Sequence, residues 1–457
     1  MIRMKNRYYK QVVLKVLVVL SLLELPLLAH AQQAGDKLSL TLENVQALAA
    51  EQHPLMAAGM LDERIGQGAT AEARLKRLPL VYGDAKLQRN LIIPVTPVPA
   101  HAFDPSAPEG ELLPLRFTTR WTSNAGINGS FDLFNPQKKG AVQEAGIQEE
   151  ITRLENAHTA NELVYEAGLA YLSALIAAEQ LRLSIVDTLT QRQILTMSQE
   201  QFDEGRLLLS VLNQAKADRN SALNNLEEAQ QIYDNSKAQL LYAIGYAPEA
   251  EMAIEFLDDL ESLFQKHQTL ADADTLNSIA YRRLLQNNAL LTSQIQSEQN
   301  SYLPSLTFNA YYGANYFDNS FDLLKSANWN GNSFVNFGLR LPISEGFERQ
   351  RKISRLRLQQ QADQLRYEDE RNKNRLDYLA ARREADRYEK NYARARENFL
   401  LAENNLRLAE EQFVRGRLLM GDFSLANYNY QQEKNNYLNV AYHFISSKLT
   451  MQRLGRN

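Results

Sequence analysis

Glu200-Gln201-Phe202-Asp203-Glu204-Gly205-Arg206-Leu207-Leu208 recurs as Glu411-Gln412-Phe413-Val414-Arg415-Gly416-Arg417-Leu418-Leu419, 211 residues later. The same offset carries Ala215 onto Ala426 and Asn224-Asn225 onto Asn435-Asn436. A match held in one register over that span marks the chain as an internal duplication. In each copy a proline-free run leads into the phrase. The glycine then supplies the left-handed residue that ends a helix, so each phrase reads as a tight turn between two helices.

Upstream of each phrase the helix is very long. The spacing predicts helices over residues 138–204 and 347–415, each reaching about 100 Å at 1.5 Å per residue. Helices of compact domains average about 11 or 12 residues, so these do not belong to an ordinary globular core. Val164, Gly168, Tyr171, Leu175 and Ala178 are spaced four, three, four, three. Ala222, Leu226, Ala229, Tyr233, Ser236, Leu240 and Ala243 continue that alternation on the return helix. This is coiled-coil seam spacing, and its many small knobs let neighbouring helices approach closely. The dense Arg, Lys, Glu and Asp of residues 351–396 read as a solvated face laced with i,i+4 pairs.

Further out, Leu78-Pro79 matches Leu303-Pro304 at an offset of 225, whereas Leu133 pairs with Ile343 at 210. Copy one therefore holds 15 extra residues. They are assigned to the Pro- and Ala-rich residues 94–114, expected to form an elongated exposed loop. A first helix is expected over residues 42–77, capped by Thr41, and its counterpart over 275–301. Pro79 and Pro304 stop these helices.

After the prolines the period becomes two. Leu306, Phe308, Ala310 and Tyr312 alternate with Ser305, Thr307, Asn309 and Tyr311. Phe337, Leu339 and Leu341 alternate with Asn336, Gly338 and Arg340. These are strands with two different faces; residues 115–134 alternate more weakly. Taken alone, the strands fit a soluble sandwich hairpin better than a membrane one. Two hairpins give four strands, and the smallest single-chain membrane barrels use about eight. Either several chains share one barrel or these strands are not in lipid.

The N-terminus favours the first option. Arg3, Lys5, Arg7 and Lys10 precede an apolar stretch at residues 16–23, and Ala29-His30-Ala31 offers a cleavage site. Residues 1–31 read as a secretory signal peptide. A membrane anchor is the alternative, but a spanning helix needs about 20 uninterrupted apolar residues. Nothing after residue 31 reads as a membrane helix, in line with a mean hydropathy of −0.41. There is no cysteine, which excludes disulfides, thiolate metal sites, a Cys nucleophile and an acylated N-terminal Cys. Residues 1–31 hold five of the 50 basic and one of the 54 acidic residues, leaving −8 on the remainder. That balance argues against a nucleic-acid partner.

These residues resemble the TolC-like outer membrane efflux family over nearly the whole mature chain. Leu40-Thr41-Leu42 with His53-Pro54 resembles the family's opening helix. Tyr302-Leu303-Pro304-Ser305-Leu306 resembles its entry into a strand, and Leu341-Pro342-Ile343-Ser344-Glu345-Gly346 its exit into the long helix. Phe413 through Gly416 to Asp422 resembles its periplasmic hairpin tip. Each motif is weak alone; their order, spacing and duplication are specific together.

The resemblance implies a mainly α fold with a small β part. Duplicated long-helix hairpins would form an α-barrel, and four strands per chain would contribute to a trimeric, 12-stranded transmembrane β-barrel in the outer membrane. The divisions are then a signal peptide at 1–31, a first repeat at 32–248, an equatorial connector at 249–274 and a second repeat at 275–457. The first repeat would hold a β-hairpin at 80–134 and a helix hairpin at 138–247, the second a β-hairpin at 305–343 and a helix hairpin at 347–455. The implied partners are two further copies, a periplasmic adaptor (membrane fusion) protein and an inner-membrane transporter. In the family an acidic residue six positions past the turn glycine helps form the pore constriction, which here is Asp422. A helix-capping role for Asp422 is the alternative. The copy-one equivalent is Val211, so a second acidic layer is not expected. Asp132 replaces the family's usual proline before the first long helix, with Pro136 following. The turns Gly205, Arg206, Leu207, Leu208 and Gly416, Arg417, Leu418, Leu419 present paired leucines expected to be exposed. They serve either packing between tips or adaptor docking.

No catalytic, cofactor or metal constellation stands out. His158, His267 and His443 are scattered, there is no phosphate loop or nucleophile elbow, and the carboxylates lie on charged helices without an apolar pocket to tune them. A secreted enzyme and a soluble periplasmic coiled-coil scaffold are the competing classes. The scaffold leaves both strand hairpins without purpose. A duct would be passive and would open by splaying its tips. Its cargo cannot be read from the residues.

Overall fold

The computed structural model describes residues 37–249, 251–268, 279–343 and 346–455. The signal peptide at 1–31, residues 250 and 269–274 of the connector, the expected helix start at 275–278 and Ser344-Glu345 lie outside them.

The chain opens with β1 (Lys37–Leu40) and α1 (Leu42–Gln52), whose first turn is capped by the Thr41 hydroxyl accepting from Asn44 N–H at 3.2 Å. A single helix was expected to residue 77. Instead it breaks at His53-Pro54, and α2 (Pro54–Leu75) starts afresh with His53 extended and proline in its first turn. Proline there cannot donate to the preceding turn, so it starts a helix rather than continuing one. Then come β2 (Leu80–Arg89), β3 (Thr96–Pro99), β4 (Leu112–Leu115) and β5 (Trp121–Phe134). The segment expected as an elongated exposed loop at 94–114 contains an antiparallel ribbon, Pro97 facing Pro114. The period-two cue there is hidden by four-residue strands carrying proline.

The first long helix, α3 (Pro136–Asp203), has 68 residues. It begins two residues earlier than expected because the Asn135 carbonyl oxygen of the side chain accepts from Gln137 and Lys138 N–H ahead of a first-turn proline. The turn leads to α4 (Leu209–Ala243), β6 (Ala253–Phe256) and α5 (Leu260–Gln268). Copy two supplies α6 (Ile279–Asn300), β7 (Ser305–Asp318), β8 (Trp329–Arg340), α7 (Gly346–Val414) and α8 (Met420–Gly455).

Two layers of order coincide. The main sheet is antiparallel throughout, in the order β2-β5-β7-β8, with β2 and β8 as free edges. The helices that run into these strands pack side by side in the same sequence: α2 against α3, α3 against α6, α6 against α7. At the far end α3 pairs with α4, α7 with α8, and α8 crosses onto α3 and α4.

Between the two ends lies the main core, where Leu40, Leu42, Val45, Tyr171, Leu240, Phe264, Tyr392 and Phe444 meet. Here β1 and β6 form a parallel pair. Asp258 fastens it, accepting from Leu42 N–H at 2.7 Å and from the buried Tyr171 hydroxyl at 2.9 Å. One expectation is corrected here: α3 does contain an 18-residue window of mean hydropathy 1.4, long and apolar enough to cross a membrane. In the fold, Val164, Ala167, Tyr171, Leu172 and Leu175 of α3 are buried, most of them in this core.

Candidate functional site

The sheet has two chemically distinct faces. Opposed residues in neighbouring strands share a face, and successive residues alternate. One face carries the row Val81, Gly129, Ala310, Val335 and the neighbouring row Phe131, Phe308, Phe337, with Leu306 opposite Leu339. Val335, Phe337 and Leu339 are about 70 % exposed, an apolar surface with no cover among the described residues. Near the outer end Trp121 packs on Phe321 at 4.7 Å and Tyr316 on Trp329 at 5.4 Å between ring centroids. An apolar band with aromatics at its margin is what lipid requires of a barrel exterior.

The opposite face carries Asp84, Lys86, Gln88, Asn124, Asn128, Asn309, Asn315, Asn332 and Asn336. Asn128 and Asn124 both donate to Asp84, the latter at 3.4 Å, and Asn309 to Asn336 at 3.0 Å. These amides suit a water-filled interior.

At the other end of the molecule both turns close identically. Gly205 and Gly416 have φ of 71° and 68°. Arg206 N–H returns to Gln201 C=O at 2.8 Å and Arg417 N–H to Gln412 C=O at 2.9 Å. Together with the glycine N–H bonds to Phe202 and Phe413 this is the Schellman pattern. The leucine pairs were expected to be exposed together. Only the second of each is: Leu208 and Leu419 are about three-quarters exposed, whereas Leu207 and Leu418 are half-buried. The turn folds Leu418 back onto a cluster of Ile194, Ala215, Ala409, Phe413, Met420 and Phe423. Arg206 pairs with Glu204 at 3.2 Å.

That cluster takes side chains from α3, α4, α7 and α8 and so ties the two hairpins together. Val211 packs against it, a reason for an apolar residue where copy two has an acid. Asp422 sits in the first turn of α8, exposed, in a shallow groove with Asn398, Asn405, Asn429 and Glu433.

The carboxylates are not all solvated, contrary to expectation. Asp187 of α3 and Lys434 of α8 are buried. Burial holds the Asp187 carboxyl above the usual carboxylate range, against the opposing pull of Lys434, and burial pushes Lys434 down. Gln191, one helical turn from Asp187, is 1 % exposed. A partner 247 residues away is invisible in the spacing of one helix. Among the described residues no group of three His, Asp or Glu could hold a metal ion.

No family model and no curated protein matches the sequence. Solved structures do match. The CmeC outer membrane channel of Campylobacter jejuni superposes with a TM-score of 0.71 at 16% identity, covering 90% of this chain and 85% of that one. The outer membrane protein VceC of Vibrio cholerae gives 0.67 at 16%, covering 91% and 96%. The open-state MtrE outer membrane channel of Neisseria gonorrhoeae gives 0.65 at 15%, covering 91% and 88%.

Proposed function

The chain has the fold of the TolC-like outer membrane channels, and from that premise we propose that it is an outer-membrane duct which works as a trimer. The observation that carries this is the sheet: four strands, two free edges, one apolar face and one amide-lined face. Four strands cannot close a membrane barrel, and open edges cannot sit in lipid. The strands alternate in direction, so β8 of one copy meets β2 of the next antiparallel. Three copies then close 12 strands with no edge left, and their helices continue as a tunnel in the periplasm.

The duct is passive. An inner-membrane transporter delivers the cargo and supplies the energy through a periplasmic adaptor, for which Leu208 and Leu419 are the contact points. Three Asp422 carboxylates ring the inner end and favour cations there. The adaptor, the transporter and the ring are carried by the resemblance and by the exposure of these side chains. A soluble scaffold has no use for an apolar sheet face with its rings at the margin.

The test is direct. Fractionation followed by mild detergent extraction should place a trimer in the outer membrane. In planar bilayers it should form pores whose cation preference falls in Asp422→Asn. A soluble monomer sinks the duct, and unchanged selectivity in the variant sinks the ring.

A further inference from the structure

Tyr82, Asn128, Tyr311 and Phe334 stand opposite one another, one on each strand, in a single row across the sheet. Three of these four are aromatic, yet the row lies on the polar face, between the Asn309–Asn336 pair and the Asp84–Asn332 row. Tyr311 and Phe334 are stacked, with ring centroids 5.5 Å apart and planes 26° apart. Space for the Tyr311 ring is reserved by glycine: a Cβ on Gly126 would meet it at 2.6 Å, and one on Gly313 would meet its hydroxyl at 2.5 Å. The ring therefore lies flat against the sheet wall rather than projecting from it.

Covering two glycines is a sufficient structural reason for Tyr311, which is 9 % exposed. Phe334 stacks on one side of that ring, and its remaining surface stays open. Tyr82 and Phe334 lie on the two edge strands and are each 49 % exposed in the single chain, on a face that also carries Asp84, Asn332 and Asn336. Large rings left half-open to water on a polar wall cost hydrophobic free energy unless something flat lies on them. Asn128 sits within the row and donates its amide N–H to Asp84.

We propose that this row is a stacking site for planar aromatic solutes inside the duct; the proposal rests on the trimeric-duct reading. Ring faces bind flat π-systems with little regard to their substituents, and add attraction for a cationic ring. Three copies would bring six half-exposed rings, Tyr82 and Phe334 of each, to the lumen wall. The cargo class favoured is then flat, aromatic and preferably cationic, passed along the wall while the surrounding amides keep the path hydrated.

The experiment uses the trimer in planar bilayers, with ethidium as the planar aromatic cation and tetraethylammonium as a cation without rings. Ethidium should cause brief current blockades that tetraethylammonium does not. Their dwell time should fall about tenfold in Phe334→Leu and in Tyr82→Leu, and persist in Phe334→Trp. The open-pore current of each variant shows that it has folded. Equal blockade by both cations, or unaltered dwell times in the leucine variants, overturns the site while leaving the duct standing. If the native protein forms no pores, the duct reading fails and the site falls with it.

Discussion

Replacing Phe423 with alanine should uncouple the two helix hairpins at their tips, because this ring is fully buried in the cluster shared by α3, α4, α7 and α8. It stands 5.6 Å from Phe413, centroid to centroid. A buried phenylalanine hides about 200 Å², equivalent to about 5 kcal/mol of apolar burial. Phe→Ala changes in cores cost about 3–5 kcal/mol once the cavity relaxes. The lower end applies here, since Val211, Leu418 and Ala426 line the site and can close in. A loss of about 3 kcal/mol in local opening free energy raises amide exchange about a hundredfold. The diagnostic amides are not those of α8. They are those around Ile194 on α3, more than two hundred residues away in sequence. Native-state hydrogen exchange read by peptide mass should show faster exchange both there and at the start of α8. Acceleration confined to α8 would refute the view that one cluster joins the hairpins.

Two further outcomes follow from buried titratable groups. Lys434→Met leaves the buried Asp187 without the opposing charge that pulls on it and should cost about 1–3 kcal/mol, whereas the double change with Asp187→Leu should recover most of that. Because burial raises the Asp187 pKa in the folded state, its protonation favours folding. The single variant's loss in thermal midpoint should therefore shrink as pH falls, and a pH-independent loss would contradict the assignment. His267 is buried, and burial lowers its pKa below the ordinary 6.5 while Nδ1 lies 2.8 Å from the Leu263 carbonyl. The unfolded chain takes up the proton first, so stability is full above about pH 6.5 and falls as pH drops toward the folded value. Thermal melts of His267→Gln should be flatter across that window; an unchanged slope would assign the acid sensitivity elsewhere.

What the residues determined by themselves is the local geometry and its repetition. A long proline-free run with seam spacing reads as a helix, and a glycine just past it as its end. Thus the turns at Gly205 and Gly416 were legible, as was the two-faced character of Leu306 to Tyr312. The breaks at His53-Pro54 and the ribbon within residues 94–114 were missed. In the first, proline's role as starter or stopper depends on what the chain does before it; in the second, four-residue strands hold too few alternations to declare a period.

The tertiary structure alone decided everything that relates distant segments. Strand order made β2 and β8 the free edges, and register placed Tyr82, Tyr311 and Phe334 in one row, although 252 positions separate the first from the last. A slip of one residue in any pairing would have turned its ring to the other face. The same holds for Asp187 beside Lys434 and Ile194 beside Phe423, partners from opposite copies of the duplication. Local periods follow from covalent geometry, which each segment carries with it. Register and burial follow from which surfaces exclude water together, and no single segment contains that information.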